Sequence, residues 1–227
     1  MKIGVLLSGC GVFDGAEIHE ATLTLLAIAE NGGEAVCFAP DKDQLHVINH
    51  MTGDEMDEKR NVLIESARIA RGEIHAIHDI SPDSYDALVI PGGFGAAKNL
   101  NTWALKGPDS EIDESVKNII IATHKAGKPI AGLCMGPTVI AKALEGTGIK
   151  ATLTMGTTAE KSPYDIKGMN EGMAAVGAVT EMKTVREIAV DETNKIVSAP
   201  CYLMEATILD IRNNVKKAID QVFTWLK

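Results

Sequence analysis

Along the chain, compact apolar runs alternate with stretches whose apolar residues recur at helical spacing. Residues 2–8 form a short apolar run ending at Gly9, as a parallel strand buried on both faces would. A glycine-rich turn follows. Leu23, Leu26 and Ala27 then recur at helical spacing within a helix expected over 16–31, which Gly32-Gly33 terminates. The same alternation predicts strands at 35–39, 86–90, 129–133 and 195–199. Helices are expected at 57–71, 112–126, 138–144 and 204–226. Residues 42–57 are polar and irregular, an excursion between strand and helix. The third quarter is less regular: 152–156, 174–176 and 185–190 read as short strands, and 162–170 as a loop.

Strands alternating with helices imply an α/β fold with a mostly parallel sheet covered on both faces. No repeat or linker divides the 227 residues, so a single domain over 1–227 is expected. In such sheets ligands bind beyond the carboxyl ends of the strands. Four of those ends carry unusual residues, Ser8-Gly9-Cys10, Pro91-Gly92-Gly93, Cys134 and Pro200-Cys201, and should converge on one pocket.

The densest signal is Lys128-Pro-Ile-Ala-Gly-Leu-Cys-Met-Gly-Pro137. Gly132-Leu133-Cys134-Met135-Gly136 fits the G-x-nucleophile-x-G corner, with cysteine in place of serine. A strand turning sharply into a helix strains its corner residue and crowds the positions two away, hence the glycines. Pro137 suits the first helical turn. Cys134 should therefore project beside a helix N-terminus that favours a thiolate. Oxyanion donors would be the backbone N–H groups at the Pro91-Gly92-Gly93 turn and at Met135. Glu17 and Glu20 open the first helix on the pocket side, and either could reach the sulfur and move protons.

Composition removes several alternatives. A net charge of −9 argues against duplex nucleic acid or an anionic membrane as partner. Cys10, Cys37, Cys134 and Cys201 show no paired spacing, which suits a reducing compartment. Leu7-Ser8-Gly9-Cys10 resembles a lipoprotein cleavage box, but the apolar run before it is too short for a signal segment. No stretch reaches membrane-span length. The protein is thus expected to be cytoplasmic. Gly9, Gly11 and Gly15 miss the dinucleotide-binding glycine spacing by one residue. His46 and His50 lie four apart without a helical pattern around them, so no metal site is expected. No histidine follows Cys134, which disfavours a Cys–His hydrolase.

Together, the Gly-Leu-Cys-Met-Gly-Pro corner, the Pro-Gly-Gly turn and a first-helix glutamate resemble the PfpI-like (class I glutamine amidotransferase-like) superfamily. Residues 8–20, 47–53, 60–65 and 90–100 resemble its ElbB branch, a glyoxalase-like group tied to isoprenoid biosynthesis. The resemblance is dense over 2–100 and thins afterwards to the corner and residues 190–197. It implies a flavodoxin-like three-layer α/β/α sandwich, a homodimer and no cofactor. Cys134 maps to the superfamily nucleophile and Glu20 to the glutamate that contacts it. Gly93 and Met135 map to the oxyanion donors. Glu17, Cys10, Gly92 and Cys201 remain pocket candidates. Protease members carry histidine directly after the cysteine, where Met135 stands here. The expected activity is a glutathione-independent glyoxalase taking small 2-oxoaldehydes to 2-hydroxy acids through a Cys134 hemithioacetal. Alternatives are a redox-responsive or partner-binding protein with an oxidisable Cys134, and an amidase or amidotransferase recruiting His19 or His124.

Overall fold

A computed structural model describes all residues from Met1 to Lys227. In chain order its elements begin with β1 (Lys2–Leu6), α1 (Ile18–Glu30), β2 (Glu34–Ala39), α2 (Val62–Ile69) and β3 (Ile74–Ala76). Next come β4 (Ala87–Ile90), a π-helical turn (Ala96–Leu100), α3 (Trp103–Lys106), α4 (Glu114–Lys125), β5 (Ile130–Leu133) and α5 (Gly136–Leu144). The chain ends with β6 (Thr152–Leu153), α6 (Ile166–Ala175), β7 (Val179–Thr180), β8 (Ala189–Asp191), β9 (Ile196–Ala199) and α7 (Ile208–Leu226).

Seven strands form one sheet in the order β3-β2-β1-β4-β5-β9-β8. All neighbours are parallel except β8, which runs antiparallel to β9 at one edge. Strands β6 and β7 pair separately. From β1 the chain winds outward through α1 and α2 to β3, then returns to place β4 on the other side of β1. From β4 it winds the opposite way. Because each crossover is right-handed, reversing direction puts α4 and α5 on the face opposite α1. Helix α7 packs against α1 and α4 against α5, completing three layers of the flavodoxin-like kind. The reversal between β1 and β4 opens a crevice at their carboxyl ends, where ligands bind in such sheets.

The four central strands are buried through most or all of their length, consistent with their unbroken apolar runs. Several elements depart from the sequence expectation: α3 and β7 have no counterpart among the expected elements, and the strand expected at 185–190 forms only as β8. Strand β3 is three residues long and too short to register as a pattern. Helix α6 occupies residues expected to be loop and strand, because Gly168 and Gly172 depress its helical signal. Its N-cap Asp165 accepts from Gly168 N–H at 3.0 Å. A side chain at Gly172 would press against Trp103 and Pro108, so that glycine serves close packing and costs propensity. The excursion at 42–57 is ordered by ties to the β1–α1 loop and the π turn: Ile48 N–H donates to Asp14 Oδ2 (2.7 Å), and Leu45 N–H to Asn99 Oδ1 (3.0 Å).

Gly4, in β1, faces the fully buried Tyr85 ring. That ring stacks on Phe38 with centroids 5.9 Å apart, and its hydroxyl lies 2.7 Å from Thr123 Oγ1. A methyl at Gly4 would sit 2.8 Å from the ring. In an open site Gly→Ala stabilises by reducing unfolded-chain entropy. Here crowding reverses the sign. Gly4→Ala should cost about 1–3 kcal/mol, measured as a lower urea midpoint at unchanged m-value.

Candidate active site

Cys134 is the single residue between β5 and the turn into α5, and its backbone is left-handed at φ +51°. Its own N–H donates across to Ala199 O on β9 (2.9 Å), fixing the corner to the sheet. The flanking glycines answer to contact. A Cβ at Gly132 would lie 2.8 Å from Ile140 Cδ1, and one at Gly136 would collide with Ile90 O. The steric reason inferred from the spacing is the one the structure displays.

Three other loops reach this corner. Glu20, in the first turn of α1, is fully buried. Its carboxyl lies beside Cys134, since a Cβ built on Gly92 would collide with Cys134 Cβ and come within 2.7 Å of Glu20 Oε2. Gly92 N–H donates to its Oε2 (3.1 Å) and Tyr202 N–H to its Oε1 (3.3 Å). The backbone N–H groups of Gly93 and Met135 act on the thiol in the direction that favours its ionised form. Glu17 occupies a different post. Its carboxylate accepts from Glu20 N–H at 2.7 Å as the N-cap of α1, and it also lines the cavity wall. Of the two glutamates left open by the sequence, Glu20 is the one against the thiol.

Burial and the negative charge of Glu17 push the Glu20 carboxyl up to about 8, against an ordinary value of 4.5, while its hydrogen bonds pull the other way. Burial and the neighbouring Glu20 charge likewise push the Cys134 thiol well above its ordinary range, outweighing the Gly93 and Met135 N–H groups. The expectation of an acidic, ready-made thiolate is therefore corrected. The helix N-terminus is present, but Cys134 is only 6 % exposed and stands beside a carboxyl. Both groups are pushed toward their protonated forms, the thiol and the carboxylic acid, side by side.

The sulfur faces a small, mostly apolar cavity walled by Phe94, Tyr164, Met169, Tyr202 and Leu203, together with Val12, Glu17, Gly93 and Met135. Three of the four expected strand ends supply it directly or through the next residues: Gly93, Cys134, and Tyr202-Leu203 after Pro200-Cys201. From the first, Val12 reaches the cavity and Cys10 does not. Cys10 lies beside Glu65, Arg68 and Asp14, because the positive-φ glycines Gly9 and Gly11 turn it away toward α2. Cys201 is fully buried below the corner, its N–H donating to Asn214 Oδ1 (3.0 Å). Gly92 lies behind the cavity lining, against Cys134 and Glu20. A Cβ there would overlap Cys134 Cβ and come within 2.7 Å of Glu20 Oε2. Sequence reasoning missed Tyr164, Met169 and Tyr202. Their only sequence signal is aromatic and sulfur side chains in segments without a clear strand or helix pattern.

The two histidines considered as bases are engaged elsewhere. His19 Nδ1 lies 2.8 Å from the Tyr202 hydroxyl at the cavity rim, and His124 Nε2 lies 3.4 Å from Asn194 Oδ1. No cluster of three His, Cys, Asp or Glu side chains is placed to hold a metal ion.

Comparison with known proteins bears on the family and the fold. The chain is 41% identical over 225 residues to the Homo sapiens protein "Glutamine amidotransferase-like class 1 domain-containing protein 3, mitochondrial", covering 97% of this chain and 82% of that protein. It superposes with TM-score 0.90 and 31% identity on an isoprenoid biosynthesis protein with an amidotransferase-like domain from Ehrlichia chaffeensis, each chain covered completely. Glyoxalase III from Candida albicans shares the fold at TM-score 0.62 and 15% identity, over 99% of this chain and 96% of that one. The cytoplasmic expectation is overturned, because relatives matched over 90% or more of this chain are named as mitochondrial proteins. Unpaired cysteines and the lack of a helix able to cross a membrane bear on redox state and bilayer insertion, and neither encodes an address. Residues 10–199 match the DJ-1/PfpI family, and the chain belongs to it.

Proposed function

We propose that this protein is a cofactor-independent glyoxalase that converts small 2-oxoaldehydes to 2-hydroxy acids. The observation that carries the reading is Cys134 in the wall of a small apolar cavity with the buried Glu20 carboxyl directly behind it. A bound aldehyde would place its carbonyl carbon over the Cys134 sulfur. The C–S bond forms as the thiol proton passes to ionised Glu20 and on to the carbonyl oxygen, giving a hemithioacetal. In this reading the Gly93 and Met135 N–H groups stabilise that oxygen as charge develops on it. Glu20 then takes the hydrogen from the former aldehyde carbon as a proton, and the electron pair left behind forms an enediolate with its charge on the neighbouring oxygen. Return of that proton to the neighbouring carbon, with transfer of the remaining hydroxyl proton to the neighbouring oxygen, leaves a 2-hydroxyacyl thioester on Cys134. Water cleaves the thioester, releasing the 2-hydroxy acid and restoring the thiol. One nucleophile and one carboxyl suffice for every step.

The amidase reading is weaker, since neither His19 nor His124 attends the sulfur. The redox-responsive reading is weakened by the raised thiol, because oxidation proceeds through the thiolate. A homodimer is part of this proposal and is checked by sedimentation equilibrium.

Methylglyoxal consumption with lactate formation tests the activity. Cys134→Ser and Glu20→Gln should each lose about 10²–10⁴-fold in kcat/KM. Equal rates in wild type and both variants would remove the proposal. Because Glu20 acts as its carboxylate, wild-type kcat/KM should rise with pH through about 8, and this limb should vanish in Glu20→Gln.

Stability should carry the opposite trend. A carboxyl that titrates near 4.5 unfolded and near 8 folded holds its proton more tightly in the native state. Its contribution is complete below the unfolded value and is lost as pH rises toward the folded one. The stability of Glu20→Gln relative to wild type should therefore increase from pH 5 to pH 8, as measured by urea unfolding in paired buffers.

A further inference from the structure

A second concavity adjoins the cavity above Cys134. Phe94 and Tyr164, in edge-to-face contact with centroids 6.0 Å apart, line both spaces and form the wall between them. Beyond that wall the groove is bounded by Phe13, by Ile48 and Gly53 of the 42–57 excursion, and by Lys98. The excursion thus builds the outer bank of an extension to the site.

Lys98 is the cationic side chain of this groove. It is half-buried on the π turn, and its Nζ donates to Phe13 O at 2.9 Å and rests over the Phe94 ring, 5.6 Å from the centroid. It forms no ion pair. Asp14 and Glu55 are the nearest carboxylates, and Asp14 Oδ2 is occupied by Ile48 N–H, with His50 3.8 Å from Oδ1. An ammonium has three donors, and one is spent on Phe13 O. A protein carrying net charge −9 has thus placed a partly desolvated cation, outside any ion pair, in a groove that shares Phe94 and Tyr164 with the cavity over its reactive sulfur. Partial burial of an ammonium without a carboxylate is unfavourable unless something anionic visits it.

We infer that this groove is a substrate subsite, in which Lys98 receives the anionic distal group of a 2-oxoaldehyde whose middle portion lies along Phe94 and Tyr164. This rests on the glyoxalase reading for the reactive end of the substrate and extends it to the substrate's far end. The preferred substrates would be 2-oxoaldehydes bearing a carboxylate or phosphate several atoms from the aldehyde. Lysine recognises either as a point charge, without the paired geometry an arginine would impose.

The test compares phenylglyoxal with 4-carboxyphenylglyoxal, which differ by one carboxylate. Wild-type kcat/KM should favour the carboxylated compound by about tenfold, the scale of one charge-assisted contact. Lys98→Met should bring the ratio close to one, and Lys98→Arg should retain most of it. Binding is measured separately by calorimetry on Cys134→Ser, with mandelate and 4-carboxymandelate as product analogues. The carboxylated analogue should bind about tenfold more tightly, and adding Lys98→Met should abolish the difference. Equal binding of the two analogues, or a preference that survives Lys98→Met, overturns the subsite whatever the turnover. A Lys98-dependent binding preference with no turnover of any aldehyde upholds the subsite and removes the glyoxalase reading instead. A phosphonate analogue in place of the carboxylate distinguishes the two anion types.

Discussion

A carboxyl group sealed beside a thiol is the constraint that shapes this end of the molecule. Glu20 has no solvent exposure, and a carboxyl so placed must stay protonated or be surrounded by donors. The fold does some of each. Two backbone amides, from Gly92 after β4 and Tyr202 after β9, converge on its oxygens. Glu17 caps the helix that carries it. Because one amide comes from each of two loops, the carboxyl ties α1 to strand ends on both sides of β5. Gly92 has to be glycine because thiol, carboxyl and main chain meet within the space a methyl would occupy.

The reversal of winding between β1 and β4 makes that convergence available. It brings the loop after β1, with the start of α1, against the loop after β4, and sets the β5 corner next to both. The antiparallel pair β8 and β9 then allows the chain to leave β9 over the site and enter α7, so Tyr202 contributes its amide below and its ring above. The 42–57 excursion uses the same crevice from the outside, anchored by Asp14 and Asn99.

Much of this was legible in the sequence wherever one residue type answered to one local demand. The glycines around Cys134 declare a crowded corner, and the apolar runs declare buried parallel strands. Helix α6 was hidden because its glycines answer to Trp103 and Pro108, which are distant in sequence. The ionisation state of Cys134 was hidden for a related reason. A helix N-terminus is visible in a string of letters, but the burial of Glu20 against the sulfur is a tertiary fact. The orientation of Cys10 also depends on φ at its two glycine neighbours, which composition leaves open.

The proton inventory of the site bears on what it can transform. Cys134 rests as a thiol, and no imidazole stands by to ionise it in advance. Attack on an amide would require a thiolate strong enough to add to a poor electrophile, followed by protonation of a nitrogen leaving group. Addition to an aldehyde expels no leaving group, and the thiol proton can move as the C–S bond forms. The adjacent ketone then acidifies the C–H that must be broken. A carboxyl pushed up to about 8 is a stronger base than an ordinary glutamate once ionised. The raised values that argue against a standing nucleophile therefore favour the reaction in which one carboxyl handles every proton.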